Sequence, residues 1–578
     1  MYLLKKFNNP YFLALITFLL AAIFITYPLI FHLGDFVTGY GDQYLHAYIM
    51  NWVVHAIFTN PLNLFQASIY YPYINSLAYS DLFLSSSILS IIPLWLFKEP
   101  IVTVNFTLIS SIFMVGFFTF ILSFYLTKNF WASLISGLLI IFSPVFLDKK
   151  THIQMLSIQW IPLSILFFIM FTKSFKPRYL LLSMLFFLFQ FYNSFLPGYF
   201  LIFFYLIYLF WVWTNDRKII KKIFTKNNFL IVLITLFLTI PIVKPYYDVF
   251  KEYNAARNIR DAIHFALQPE DLIYPNEHTV LEPLLLQISN IKQYKQTDEI
   301  KSGYIGLVFT LLSFLAIFYV LKKINKKNIL ENSFLTTGLF GLILSFGPAL
   351  HFARETIHKP FLIILPYAIF YYIIPGFSGF RNSSRWEILF IFCMAVLITL
   401  ILSAILKNSK KALLIYIFLI MGIVFEYNFP MKFYPVLSKN NFPQVHNFLS
   451  KTNPNSVFIA LPIYNWNLPN SAKELEREYF YTKHFRKTVN GYSGFSPAKW
   501  QEDVMYLFEN FPNKNSINKI KKIGVNYIIV NKNEYDSLYK NKYYLLGDGD
   551  YVIRELNDSS DVELKEKFED TYVYGFNN

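Results

Sequence analysis

The stretch HLGDFVTGYGDQYLHAYIMNWVVHAIFTNPLNLFQASIYYPYINSLAYSD, residues 32–81, decides how this chain is read. It lies between an apolar run at 11–31 and a second apolar segment at 82–97, and it carries Asp35, Asp42, His46, His55 and Asp81. Carboxylates beside a bilayer are costly unless a partner or a function retains them. Positions 42–58 have helical character, with Asp42, Gln43 and His46 on one face at about 100° per residue and Asn51 and His55 on the other. That pattern predicts a short helix at the membrane surface, with one polar turn facing a cavity. The segment 82–97 falls short of the ~20 residues a span needs and reads as a second surface or half-inserted helix.

Composition points the same way. Of 578 residues, 55% are hydrophobic, 20% aromatic and 15% charged, with mean hydropathy +0.40. A soluble globular chain carries about 25% charged residues. The formal charge of +15 does not indicate nucleic acid. The basic residues sit in short clusters between apolar runs, where they act as topology signals and headgroup contacts. The lone Cys393 excludes an internal disulfide. Lys5 and Lys6 precede the first apolar run, and no small-residue cleavage site is evident, so an uncleaved first helix starting in the cytoplasm is expected.

Ten further spans are expected at 101–126, 132–147, 158–171, 179–191, 199–213, 229–243, 304–321, 334–350, 386–406 and 412–425. The segment 361–374 contains Pro366 and ends at Pro375-Gly376, which predicts a re-entrant or broken helix. With eleven spans, the basic clusters at 173–178, 217–226, 322–327 and 407–411 all fall on the cytoplasmic side. The loops 32–100 and 244–303 and the segment 361–385 are then outside. The expected fold class is an α-helical polytopic membrane protein of about 11 transmembrane helices over 1–428, placed in the cytoplasmic membrane, with an extracytoplasmic α/β domain over 429–578. Within that domain 456–461, 525–530 and 551–556 read as strands, and 471–485 and 497–511 as helices. Glu474, Glu476, Arg477 and Glu478 read as a solvated helix face.

An outward-facing carboxylate on a surface helix suits a substrate with one lipidic and one polar part, such as a sugar joined through phosphate to a polyprenyl chain. Transfer from it needs a base for the acceptor and cations for the departing phosphate, with an oxocarbenium-like state between. At this point the sequence resembles the GT-C superfamily of integral membrane glycosyltransferases, and within it bacterial YfhO-type membrane proteins. The matching pieces are GYGDQYLHAYIMNW (39–52), YYPYINSLAYSD (70–81), FSPVFLDKKTHIQMLSIQWIPL (142–163), DLIYP (271–275) with YIGL (304–307), and GFRNSSRW (379–386). LPIYNW (461–466), NGYSGFSPAKW (490–500) and IGVNYIIVN (523–531) belong to the same resemblance. It covers nearly the whole chain through loose motifs and a shared architecture.

The resemblance implies a polyprenyl-phosphate sugar donor, membrane lipid and an extracytoplasmic acceptor as partners, and no nucleic acid. It makes Asp42 the general base, against the simpler reading of an acid capping its helix. Asp35 reads either as an acceptor or divalent-cation (Mg2+ or Mn2+) contact or as a solvated acid, and His46 either orients Asp42 or is an interfacial histidine. His152 is implied in acceptor or phosphate contact, beside Asp148, Lys149 and Lys150, with a solvated turn as the alternative. Arg381 and Arg385 suit a paired grip on phosphate or interface anchoring. Ser383 and Ser384 occupy the gap where the family pattern carries proline. Arg257, Arg260 and His264 are further phosphate candidates. No phosphate-loop, metalloprotease or paired-cysteine motif is present, and no metal site is expected. Two rivals stand beside the transferase. A lipid or polysaccharide transporter predicts internal repeats and charges deep within spans, and neither is seen. A non-catalytic envelope-assembly protein with this fold predicts loss of the loop acid, yet Asp42 is there.

Overall fold

The computed structural model describes residues 9–275, 278–284, 303–323, 325–352, 355–357, 362–427 and 431–577. Lys5, Lys6, part of the expected 244–303 loop and residue 361 of the expected re-entrant segment lie outside them. The chain forms two compact units. One comprises Met1–Phe31, Thr107–Ile240 and Ala256–Lys432, and the other His32–Phe106, Pro241–Ala255 and Phe433–Asn578.

The first unit is a bundle of apolar helices in a multi-pass membrane protein. Six helical stretches among the described residues are long and apolar enough to cross a membrane: Val102–Thr127, Phe130–Thr151, Ile153–Ser174, Phe195–Asn215, Lys226–Tyr253 and Ser383–Ile405. Pro10–Ile25, Leu307–Lys322, Ile329–Ser345 and Ala412–Glu426 are shorter apolar helices. The first helix stops at Ile25, short of the expected 31. The Thr26 hydroxyl turns back onto Ala22 O at 2.8 Å, and Pro28 has no N–H to continue the ladder. The expected re-entrant helix is confined to Pro366–Ile373, with Pro366 in its first turn.

Small residues and interhelical hydrogen bonds hold this bundle together, as expected where lipid removes the usual hydrophobic drive between helices. Gly137 lies so close to Gly116 that a Cβ there would overlap the Gly116 carbonyl and the Phe18 ring. Ser164 Oγ donates to Ser183 O at 2.6 Å and Ser183 Oγ to Ser164 O at 2.8 Å. Glu426 performs the costliest structural task. Its carboxylate accepts from Tyr304 Oη at 2.6 Å, Leu307 N at 2.6 Å and Val308 N at 3.3 Å, so it caps the Leu307–Lys322 helix with a negative charge.

The second unit contains a five-stranded mixed sheet. Its strands are β1 (Val457–Leu461), β2 (Lys487–Thr488), β3 (Tyr527–Asn531), β4 (Val562–Phe568) and β5 (Thr571–Phe576), in the order β2-β1-β3-β5-β4. β1 runs parallel to β2 and β3, while β5 is antiparallel to β3 and β4. The strands expected at 456–461 and 525–530 are β1 and β3. The expected strand at 551–556 is instead the helix Gly549–Asn557, whose Val552, Ile553 and Leu556 are buried at helical spacing. The strands β4 and β5 follow it.

Residues of the 32–81 stretch are built into this unit. Ser68–Tyr71 run along the β2 edge: Thr488 N donates to Ser68 O at 2.7 Å, Tyr71 N to Thr488 O at 2.8 Å and Tyr70 N to Asn490 O at 3.0 Å. This covers backbone groups that an open sheet edge would expose. The Asp42–Thr59 helix packs on the Ala472–Tyr481 helix. The expected helix at 82–97 is two short ones, Leu84–Leu89 and Ile91–Phe97, broken at Ser90. Ile92, Trp95 and Leu96 stand exposed.

The expected solvated face of the Ala472–Tyr481 helix is the reverse of what is found. Glu474 and Glu478 are fully buried. Arg477 donates to Glu474 Oε1 and Glu534 Oε2, both at 2.8 Å, and Asn490 and Tyr464 N also donate to Glu474. Burial pushes the Glu474 carboxyl up to about 7, against the pull of Arg477. Nearby, His446 and His484 stack in the core with Nδ1 to Nε2 at 3.2 Å. Burial, then the Lys483 and Arg477 charges, lower His446 to about 3.

Two predictions follow from these buried groups. Glu426→Ala strands two helix N–H groups and a tyrosine hydroxyl, and a loss of roughly 2–4 kcal/mol is expected in thermal unfolding of the detergent-solubilised protein. An unchanged melting temperature would remove the carboxylate from its capping role. His446 is neutral when folded and protonates near 6.5 when unfolded, so its contribution is full above pH 6.5 and is lost as pH falls toward 3. Glu474 acts oppositely, stabilising less as pH rises from 4.5 to about 7. His446→Gln is therefore expected to make the acid side of the stability profile shallower, by about 1.4 kcal/mol per pH unit below 6.5. Equal slopes in mutant and wild type would contradict this.

Candidate functional site

Candidate groups fall into two sets, one in each unit. In the second unit, Gly41 takes the cap position with φ +87°, a conformation that costs glycine little, and Asp42 is the first residue of the helix. The cap residue is therefore Gly41 and not Asp42. Its charge stands in the first turn, where the helix N-terminus favours an anion, and the side chain is half-buried. The polar turn expected to face a cavity is packed instead. Gln43 and Thr38 bond each other, and the His46 ring lies 4.9 Å from the Phe83 ring. Asn51, across the helix, donates to Ala47 O at 2.7 Å and Pro100 O at 2.9 Å. Asp35 pairs with His32 at 3.2 Å and is half-exposed. Tyrosines gather around the start of this helix, with ring centroids 6.1 Å apart for Tyr40–Tyr44, 5.1 Å for Tyr40–Tyr434 and 5.2 Å for Tyr44–Tyr479. Of these, Tyr40 and Tyr44 are legible as neighbours of Asp42, whereas Tyr434 and Tyr479 have no local signal.

In the first unit, Asp148, Lys149 and Lys150 occupy a turn between two helical stretches and are 9%, 8% and 6% exposed, which corrects the solvated-turn reading. Lys150 Nζ meets His278 Nε2 at 3.0 Å, and Lys149 Nζ lies 3.7 Å from Asp148. His152 is half-buried beside Thr151, its Nδ1 3.2 Å from the hydroxyl. Glu387 opens a membrane-length helix; the charges that act on it are those of Lys149, Asp271 and Asp148. Its Oε1 is buried, with no hydrogen-bond partner among the described residues.

Two segments meet beside this set. Arg257 N donates to Ser378 O at 3.0 Å, Ser384 N to Phe265 O at 3.2 Å and Ser383 Oγ to Ala262 O at 2.8 Å. The serines of GFRNSSRW therefore dock the 257–265 segment. Arg381 lies over the Phe265 ring at 4.6 Å, and the Arg385 charge acts on the Tyr367 hydroxyl. Arg257, Arg381 and Arg385, predicted from separate motifs, are thus carried on adjoining segments. Arg260 and His264 sit on the short Ile259–His264 helix and are exposed. Glu387, Asp271 and His278 escaped the sequence reading. An ionisable residue opening an apolar span is the signal that could have found Glu387. Among the described residues no three His, Cys, Asp or Glu side chains converge as a metal-ligand set.

No family model matches the sequence, and no curated protein does. The structure is similar to the cryo-EM structure of arabinofuranosyltransferase AftD from Mycobacteria, with a TM-score of 0.54 and 11% identity over 98% of this chain and 40% of that one. The chain thus spans about two fifths of that protein's length. A crystal structure of the Archaeoglobus fulgidus oligosaccharyltransferase tethered to an acceptor peptide matches with a TM-score of 0.48 and 11% identity, over 93% of this chain and 70% of that one. At such identity the likeness is one of fold, and the mycobacterial structure carries it: this chain shares the fold of the corresponding part of that arabinofuranosyltransferase.

Proposed function

We propose that the protein moves a sugar from a polyprenyl-phosphate carrier to an acceptor on the outer side of the cytoplasmic membrane, with residues 1–428 as the membrane domain and 429–578 as an extracytoplasmic one. The observation that carries this reading is the burial of Lys149, Lys150 and Glu387 at the ends of apolar helical stretches, with Asp271 and His278 buried on the segment that follows residue 265. Buried charge at a membrane edge is retained for a ligand or a relay more readily than for stability. In this reading Lys149, Lys150, Arg381 and Arg385 supply the cationic field for the donor phosphate, and Arg257 and His152 are further candidates for phosphate or acceptor contact. Asp42 accepts the proton of the acceptor hydroxyl. That oxygen attacks the anomeric carbon, the bond from that carbon to the phosphate oxygen breaks, and the polyprenyl phosphate leaves as an anion without an acid. His46, locked against Phe83, and Gln43, tied to Thr38, hold the Asp42 turn in place.

The test is transfer of labelled sugar from polyprenyl-phosphate donors in membranes, across several sugars. Asp42→Asn keeps size and hydrogen bonding while removing the base, and a loss of about 10²–10⁴-fold at normal expression is expected. Lys149→Gln is expected to cost on the order of 10–100-fold in kcat/KM, with the donor KM rising. Wild-type transfer by Asp42→Asn would sink the assignment of the base. Failure of the wild type with every donor would overturn the reading as a whole.

A further inference from the structure

The second unit holds a cleft that the transfer chemistry does not use. It has a volume of about 700 Å³, within the range of roughly 300–1,000 Å³ typical of small-molecule sites. It opens at the carboxyl ends of β1 and β3, whose outgoing connections diverge: β1 leads to β2 on one side, and β3 leads to β4 and β5 on the other. Such a divergence leaves a crevice in α/β sheets, and ligands bind there for that reason. The β4–β5 turn, Phe568–Thr571, lines the same end of the sheet.

We propose that this cleft binds an uncharged oligosaccharide. Its walls present Gln444, Asn470 and Asn533, each both a donor and an acceptor, as are the sugar hydroxyls they would meet. Asn533 is oriented by a hydrogen bond to Asp570. The floor is built in advance: Tyr464 Oη and Arg477 Nη2 both donate to Glu534 Oε2 at 2.8 Å, and Arg477 is anchored on buried Glu474. Phe568 adds aromatic surface for the apolar face of a sugar ring. Charge decides against an anionic ligand, since Glu534, Glu569 and Asp570 line the cleft against the single cation Lys473. The inference stands on the cleft alone and does not rest on the transfer reading.

The test uses full-length protein in nanodiscs without any donor, so a protein that transfers nothing can still meet it. Saturation-transfer NMR and titration are run with neutral gluco-, manno-, galacto- and arabino-oligosaccharides, and with a sulfated oligosaccharide as the anionic comparison. Binding of a neutral probe is expected, weakened on the order of tenfold by Asn533→Ala. Ser537→Trp, at an exposed position on the cleft wall, is expected to abolish it with the melting temperature unchanged. No binding by any neutral probe, preference for the sulfated one, or full binding by Ser537→Trp would each overturn the proposal.

Discussion

The backbone hydrogen bonds between Ser68–Tyr71 and Thr488–Asn490 are the constraint on which the second unit depends. A loop following a first apolar helix has no stable conformation of its own, because its own groups cannot bury enough surface to offset the entropy of ordering it. Pairing it to the edge of a sheet from the far end of the sequence supplies the missing partners. The Tyr70 ring then packs on Trp500 at 4.8 Å and Tyr79 on Phe495 at 5.4 Å. Once that loop is fixed, the Asp42–Thr59 helix has the Ala472–Tyr481 helix to pack against. The position of Asp42 is thus inherited from residues more than four hundred positions away.

Much of the helical layout was legible because an apolar run of about twenty residues has few alternatives in a membrane protein. β1 and β3 were legible for a similar reason, being short apolar runs bounded by polar turns. What escaped was set by partners remote in sequence. Nothing around Glu474-Leu475-Glu476-Arg477-Glu478 distinguishes a solvated face from a buried network; the difference is made by Glu534 and Asn490. The helix at 549–557 was mistaken for a strand because Tyr551-Val552-Ile553 has high β propensity, which a helical burial pattern overrides. Asp42, Lys149, Arg381 and Arg385 were visible as chemistry, while Glu387, Asp271 and His278 became visible only through the residues they face.

The buried carboxylates of the first unit separate structural from functional use of charge. Glu426 is satisfied by three donors, two backbone N–H groups and one tyrosine hydroxyl, so it is matched within the fold. Glu387 is as deeply buried, yet the charges acting on it come from two other acids and one lysine, and Oε1 lacks a hydrogen-bond partner among the described residues. A protein selected for stability alone would replace such a group by an apolar one at little cost or with gain. Its retention beside Lys149 is understandable if the lysine must keep its charge for another anion. In the second unit Arg477 is matched in the same way as Glu426, since it donates to both Glu474 and Glu534.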